Sequence, residues 1–544
     1  MGDTIASLLT ARAADKNPGI VTDTSVWTWS EVVAECSSRA AVLEELGFAG
    51  RHVGVLLENV PEHVFLLGGA ALTGTTVVGI NSTRRGRELA RDIEHTDCAI
   101  VLTDRAQSVQ LDDLTLEVDI VCVDEAAWLE RVASHGSAPL QGAAMDPATL
   151  FMLIFTSGST SAPKAVRMSQ GRMARSATSA AVAFTPDDVL YCSMPLFHGN
   201  ALSACLFAGV ASGASVVLKS KFSASSFLPD VRRHGCTYFN YVGRALSYIL
   251  AQPPTPEDLD NKLKFCLGTE ASPRDRVEFR RRFGCVVFEG YGSSEGAVVI
   301  QAFRGMPKEA LGRPNDGMDV AVIDPETMLE CPRAMFNGDH LLLNPTETIG
   351  EIVGRNVLSS FEGYYNNEEA DAERSRNGWY WTGDLGYVDE DGTFYFAGRT
   401  SDWLRVDQEN FAAGPVESIL RRFPGVAAVV VYPVPDPRTG DQVMAALELD
   451  AGVEFSPSDF VTFLDDQPDL GTKWAPRFVR IASEIPVTAS GKIDRKPLRN
   501  EVWRTSDPVW WRPGRAAPYR RLDTGDVVAL EREFAEAGRQ ALLT

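Results

Sequence analysis

What most constrains the fold of this 544-residue chain is a recurring rhythm. Short, unbroken apolar runs rich in β-branched residues alternate with stretches of helical character; examples are HVGVLL at 52–57, AIVL at 99–102, IVCV at 120–123 and CVVF at 285–288. Strands that are apolar on both faces must be covered on both faces, which predicts parallel sheets flanked by helices and hence an α/β fold. From about 310 to 400 the pattern shifts to short strands and Gly/Asp turns, such as Asp391-Gly392 before TFYF at 393–396, and predicts a β-rich subdomain. Residues 400–402 are polar, and a compact α+β pattern follows to about 500, with helices at 415–422 and 457–465 and strands at 427–431 and 442–449. The tail from Glu501 carries WWRP at 510–513 and an amphipathic helix through Arg539. The chain is too long for one core, so the expectation is a large N-terminal domain, 1–400, and a small α+β C-terminal domain with an extended tail, 401–544.

Composition excludes several classes. With 44% hydrophobic and 23% charged residues the chain is an ordinary globular one. Its first residues lack a basic segment followed by an apolar stretch, so no secretory signal is expected, and Ala6 breaks the myristoylation pattern that Met-Gly would open. The uncharged runs 64–83 and 200–218 are interrupted by Gly, Thr and Ser and end in β-branched segments, which predicts helix, glycine turn and buried strand with no membrane span. Nine scattered cysteines without a C-x-x-C pair predict neither zinc site nor disulfides and fit a cytoplasmic location. A net charge of −21 argues against nucleic acid as a partner and requires local basic patches for any polyanionic substrate.

The chemistry concentrates in LIFTSGSTSAPK at 153–164. An apolar run stops at a loop of Ser, Thr and Gly closed by Pro163 and Lys164, so backbone N–H groups, hydroxyls and one ammonium converge as a phosphate cradle requires. It is not a Walker A loop, because the second glycine and the Ser/Thr after the lysine are missing. Further along stand YGSSEG at 291–296, WTGDL at 381–385, AGR at 397–399 and SGKIDR at 490–495. In this order and spacing the set resembles the adenylate-forming enzymes: acyl-CoA synthetases, adenylation domains of peptide synthetases and luciferases. Segments 151–157, KFSAS at 221–225, VRR at 231–233, NYVG at 240–243 and the WWRP tail look most like actinobacterial ligases of fatty, sterol side-chain or diterpenoid acids.

The resemblance implies ATP, Mg²⁺ and coenzyme A as cofactors and an AMP-forming ligase that joins a hydrophobic carboxylic acid to CoA through an acyl-adenylate. It places Thr156, Ser157, Gly158, Ser159, Thr160, Ser161 and Lys164 on the β- and γ-phosphates, and Glu295 on the magnesium. Gly268, Thr269, Glu270, Tyr291, Gly292, Ser293 and Ser294 fall on the nucleotide, with Tyr291 against adenine. Asp384 and Arg399 fall on the ribose, and Lys492 on the carboxylate and α-phosphate. Ser401 and Asp402 would form the hinge of a mobile lid, and Gln408 and Glu409 would line the passage for the pantetheine arm. His198 is expected to position the acyl group without proton transfer, and Tyr241, Gly243, Val298 and Val299 to line an apolar acyl pocket. For the CoA phosphates, the arginines at 274, 276 and 280–282 are one reading, and an exposed charged helix face is the other.

The pattern is also broken in places. Ser161 and Ala165 stand where the family commonly has Gly, Gln408 replaces a glycine, Ser294 a Thr, and Ala271 a small turn residue. Ser161 and Gln408 motivate the expectation that one half-reaction is weakened and that the enzyme mainly converts a preformed acyl-adenylate. Two alternatives stay open: the same fold loading a carrier protein, and a serine hydrolase in which GSSEG at 292–296 makes Ser294 the nucleophile. Self-association as a homodimer is not decided by the residues.

Overall fold

A computed structural model describes residues 3–136, 145–156, 163–303, 305–307, 309–338, 340–406, 409–437, 440–488, 491–514 and 517–543. The fold is mixed α/β and forms two compact units: Met1–Ala297 with Ser359–Glu373, and Val298–Leu358 with Arg374–Thr544. This division by contacts falls at a different point from the expected 400/401 boundary, which concerns a hinge and is taken up below as part of the proposed function.

The first unit holds two sheets. One has six strands in the order Asp119–Cys122, Ile100–Thr103, His52–Leu56, Thr76–Gly79, Leu150–Thr156 and Lys164–Ser169. All pairings are parallel except the last, an antiparallel hairpin in which Thr156 faces Lys164. In the other, Val286–Tyr291, Phe265–Thr269, Tyr238–Val242, Val189–Cys192, Ser215–Leu218 and Pro18–Val21 run parallel, and Val26–Thr28 closes the edge antiparallel. The expected strands at 52–57, 99–102, 120–123 and 285–288 are therefore present in a parallel setting, the first three within a residue at their ends and the last running on to Tyr291.

Both uncharged runs fold as their glycines dictate. Helix Pro61–Thr73 ends on Gly74 at φ 74°, and strand Thr76–Gly79 follows. The second run is helical over 199–212, turns at Gly213 with φ 83°, and enters strand Ser215–Leu218. A left-handed residue costs glycine little, so it stops a helix cleanly and lets the apolar segment after it bury as a strand. Among the described residues no helix is long and apolar enough to cross a membrane.

The second unit opens with the β-rich region. Its strands lie in the order Val320–Ile323, Gly350–Gly354, Trp379–Val388, Phe394–Arg399, Ala310–Pro314 and Ile300–Gln301, all antiparallel. Strand structure around 297–300 is thus confined to its last residue. A hairpin of Trp403–Val406 and Glu409–Ala412 precedes a five-stranded sheet, Val426–Pro435, Asp441–Leu449, Phe478–Ile481, Val509–Trp511 and Arg520–Arg521. The tail adds the last two strands and helix Thr524–Glu536, and buries Trp503, Trp511 and Phe534 against Phe478 and Tyr432. Those large side chains explain why the tail is ordered: burying each contributes roughly 1.5–3 kcal/mol.

All nine cysteines are free, and most are buried. Burial in apolar surroundings pushes the Cys36, Cys98 and Cys236 thiols up to about 12, so they behave as small core residues.

Candidate functional site

The site of the first unit is built on the hairpin that ends in Lys164. Ala165 and Val166 are fully buried, which anchors the first residues of the strand and holds the lysine at its start. Residues 359–373 return to this hairpin: Arg167 N–H donates to the Gly363 carbonyl at 3.0 Å, Tyr365 N–H to that of Ala165 at 2.8 Å, and the Asn367 amide to that of Pro163 at 3.0 Å. The strap brings two side chains that sequence reasoning missed. Glu373 accepts from the Lys164 ammonium at 2.9 Å, and the Tyr364 ring lies 5.8 Å from the same nitrogen. The Tyr364 hydroxyl donates to Glu295 at 2.6 Å.

Lys164 and Glu295, far apart in sequence and both expected at the phosphates, are thus joined through Tyr364. Only 9% of the Lys164 side chain is exposed, against 49% for Glu373, so the ammonium is nearly desolvated while its partner stays wet. Such a cation attracts an anion much more strongly than a surface lysine would. Of the expected phosphate ligands, Ser157, Gly158, Ser159, Thr160 and Ser161 lie outside the described residues; Thr156 ends the partner strand opposite Lys164.

Arg172, also missed, is buried on helix Gln170–Ala181 and donates to the Ser294 carbonyl at 2.5 Å. Gly296 sits at φ 63°, and a Cβ there would meet the Arg172 guanidinium at 2.6 Å. The turn after Ser293 therefore needs both glycine and arginine, and it sets the direction of Glu295.

The second sheet has its topological switch between Val189–Cys192 and Tyr238–Val242, whose chain continuations leave in opposite directions. Ligands in open parallel sheets bind outside the carboxyl ends of strands at such a point. There the Asn240 amide donates to the Asn200 side chain at 2.8 Å, and Gly243 turns at φ 60°. His198 begins the helical segment that follows the first of these strands, its ring 4.6 Å from that of Phe197. Tyr241 is buried against Gly268, where a Cβ would stand 2.6 Å from its ring. Thr269 ends its strand, and Glu270 follows at φ 72°. Tyr291 ends the neighbouring strand, and Gly292, Ser293 and Ser294 follow it.

In the second unit, Asp384 lies within strand Trp379–Val388, not in a hairpin turn, and pairs in register with Arg399, Nε to carboxylate 3.6 Å. The preceding Gly383 is at φ 73°; its N–H donates to buried Glu351 at 2.7 Å, and its carbonyl accepts from Thr400 at 3.1 Å. Burial raises the Glu351 carboxyl above its ordinary range. Val298 is buried and packs near Gly354, and the Val299 carbonyl accepts from Asn315 at 3.2 Å.

Lys492 occupies a tight turn with Gly491 at φ 82°; Thr488 N–H donates to its carbonyl at 2.6 Å and Lys492 N–H to the Thr488 hydroxyl at 3.2 Å. The following Arg495 reaches Glu417 at 2.9 Å and Asp402 at 3.6 Å, so the expected hinge residue Asp402, which is buried, is tied to the lysine turn by an ion pair. Gln408 and the side chains of Ser401 and Glu409 lie outside the description.

With this geometry in place, the comparisons decide the family. The model of the AMP-binding enzyme family matches residues 10–365, and that of the AMP-binding enzyme C-terminal domain matches 415–492. The chain belongs to the AMP-binding enzymes. This AMP-binding enzyme is 51% identical, over 99% of both chains, to steroid-22-oyl-CoA synthetase of Rhodococcus jostii strain RHA1. It is 42% identical to the medium/long-chain-fatty-acid–CoA ligase FadD17 of Mycobacterium tuberculosis, across 93% of this chain and 98% of that one. Among solved structures, ATP-bound MatB from Rhodopseudomonas palustris shares the fold with a TM-score of 0.79 at 24% identity, covering 92% of this chain and 98% of that one. O-succinylbenzoate coenzyme A synthetase from Bacillus subtilis, in complex with AMP, gives 0.72 at 26% identity, with 91% and 97% covered.

Proposed function

We propose that this enzyme activates a bulky apolar carboxylic acid, of the steroid side-chain or fatty-acid class, and transfers it to coenzyme A. The observation that carries this reading is the 51% identity to steroid-22-oyl-CoA synthetase along essentially the whole chain. It is supported by the buried, aromatic character of Tyr238–Val242 beside the topological switch.

The reaction needs a carboxylate made into an acyl donor. A carboxylate oxygen attacks the α-phosphorus of ATP and pyrophosphate leaves; the CoA thiol sulfur then attacks the acyl carbon and AMP leaves, the thiol proton passing to solvent. In the first step the protein's task is to position reactants and offset charge. Lys164, already desolvated, would hold the β- and γ-phosphates in place of Glu373. Arg172 keeps the 293–296 turn closed so that Glu295 faces the phosphates. Asp384, its orientation shared with Arg399, would accept from the ribose hydroxyls, and Lys492 would neutralise charge that grows on the α-phosphate.

Magnesium, when bound, would supply positive charge that offsets the charge of the triphosphate. Among the described residues no cluster of three or more His, Cys, Asp or Glu side chains could hold a metal ion; a single carboxylate oxygen is a hard ligand of the kind magnesium takes. Glu295, buried and steadied by the Tyr364 hydroxyl, is the residue that would hold it.

A cytoplasmic location, a hinge at Ser401–Asp402 that separates a body from a lid, and the pantetheine passage at Gln408 and Glu409 are parts of the same proposal. So is a bias between half-reactions set by Ser161 and Gln408. Assays of thioester formation with steroid, long-chain and diterpenoid acids, each offered with ATP or as the synthetic adenylate, test the activity, the acid class and the bias between half-reactions. Turnover of a steroid acid with ATP and CoA is expected; activity only with a carrier protein, or none with any acid, would overturn it. Vigorous ATP–pyrophosphate exchange would remove the adenylation bias alone.

A further inference from the structure

Glu289 stands apart from the phosphate and ribose ligands, on a strand of the parallel sheet just before Tyr291. It lies half-buried on strand Val286–Tyr291, and one carboxyl oxygen accepts from both the Tyr241 hydroxyl and the Ala271 N–H, each at 2.8 Å. Tyr241 reaches it from strand Tyr238–Val242, and Ala271 from the turn after strand Phe265–Thr269. That turn is strained: Glu270 takes φ 72°, a conformation a non-glycine residue keeps only when its surroundings hold it. Beside it, the Thr269 hydroxyl is buried without a hydrogen-bond partner among the described residues. Gly268 is pressed on Tyr241, with a Cβ excluded at 2.5 Å from the Tyr241 carbonyl.

We propose that Glu289 is a positioning residue for the acyl-adenylate: through Tyr241 it sets the wall met by the acyl group, and through Ala271 the turn met by the nucleotide. The inference rests on the proposed acid activation and names the residue that couples its two halves. Burial pushes the Glu289 carboxyl up to about 7, against the lowering effects of Tyr241, the Ala271 N–H and the Arg276 guanidinium on helix Pro273–Phe283; Glu270 raises it further. Burial first, then Glu289 and Cys266, raise the Tyr241 hydroxyl, so that side stays protonated and donating. The charged carboxylate is the better acceptor, and the two walls are therefore held most tightly above about pH 7. A carboxyl raised in the folded state retains extra protons, so it lowers stability as pH climbs from the ordinary carboxylate range through about 7. The protein keeps this group at a cost in stability, which is the pattern of a functional site.

The test measures binding of a synthetic steroid acyl-adenylate to the full-length enzyme and to Glu289→Gln between pH 6 and 9, with Tyr241→Phe as second variant. Wild-type affinity should rise through about pH 7. At pH 8 Glu289→Gln should bind about tenfold more weakly and lose the pH dependence, the scale of one buried charged hydrogen bond. Tyr241→Phe should weaken binding by about threefold to tenfold and keep a titration. Urea unfolding at pH 5 and pH 8 checks folding and should show that Glu289→Gln reduces the stability slope, Asp92 and Glu351 supplying the remainder. Wild-type affinity and profile in Glu289→Gln, or a change in the stability slope alone, would overturn the inference. Absence of thioester formation by the wild type with every acid would instead defeat the proposed activity.

Discussion

Lys164 and Lys492 carry the same ammonium and, in the proposed reaction, act on the same triphosphate, yet the protein holds them in different ways. Lys164 starts a strand whose next residues are fully buried, its side chain is nearly enclosed, and Glu373 and Tyr364 fix its nitrogen. Lys492 sits in a glycine turn closed by three Thr488 hydrogen bonds, in the other compact unit, and its loop is tied through Arg495 to Glu417 and Asp402. A lysine that holds the β- and γ-phosphates in place until pyrophosphate leaves belongs on a sheet. One needed only while charge builds on the α-phosphate belongs on a loop whose anchor is an ion pair at the proposed hinge.

The sharpest way to break this comparison is Lys492→Ala. ATP–pyrophosphate exchange should fall by about two to three orders of magnitude, as when a transition-state charge donor is removed, while thioester formation from synthetic adenylate is largely retained; equal losses in both assays would refute separate duties. Next in size is Arg495→Met, which leaves Glu417 and Asp402 buried without that cation. Denaturant unfolding should register a loss of about 1–3 kcal/mol. Lys164→Met keeps the aliphatic stem, so the fold should persist; KM for ATP should rise about tenfold with AMP affinity unchanged. A matching loss of AMP affinity would move Lys164 off the β- and γ-phosphates. Smallest is Glu373→Gln. Because Glu373 is half-exposed its ion pair is screened, and removing its competition should tighten pyrophosphate binding about threefold, an effect that shrinks with added salt. Weaker pyrophosphate binding would make Glu373 an ally of Lys164.

Much of this was legible in the residues, for identifiable reasons. Apolar runs such as 52–57 mark buried parallel strands because a strand covered on both faces loses its alternation. Gly74 and Gly213 announced helix ends because a left-handed residue is cheap only without a Cβ. The Thr-Gly-Asp segment was ambiguous, since the same letters serve a hairpin turn, and only the strand register opposite Arg399 resolves it. Glu373, Tyr364 and Arg172 left no signal. Each acts through a partner far away in sequence, at separations of 209, 69 and 122 residues, and no local pattern records such a meeting.

By itself the sequence determined the order of strands and helices, the family and the chemistry on offer, because periodicity, glycine turns and contiguous motifs are local properties of a chain. The tertiary structure alone decided which groups face one another: that a strap returns Glu373 to Lys164, that Tyr364 steadies Glu295, and that Glu289 joins two strands and a strained turn. Those pairings follow from burial, which desolvates a charge and compels it to find a partner wherever the fold brings one within reach.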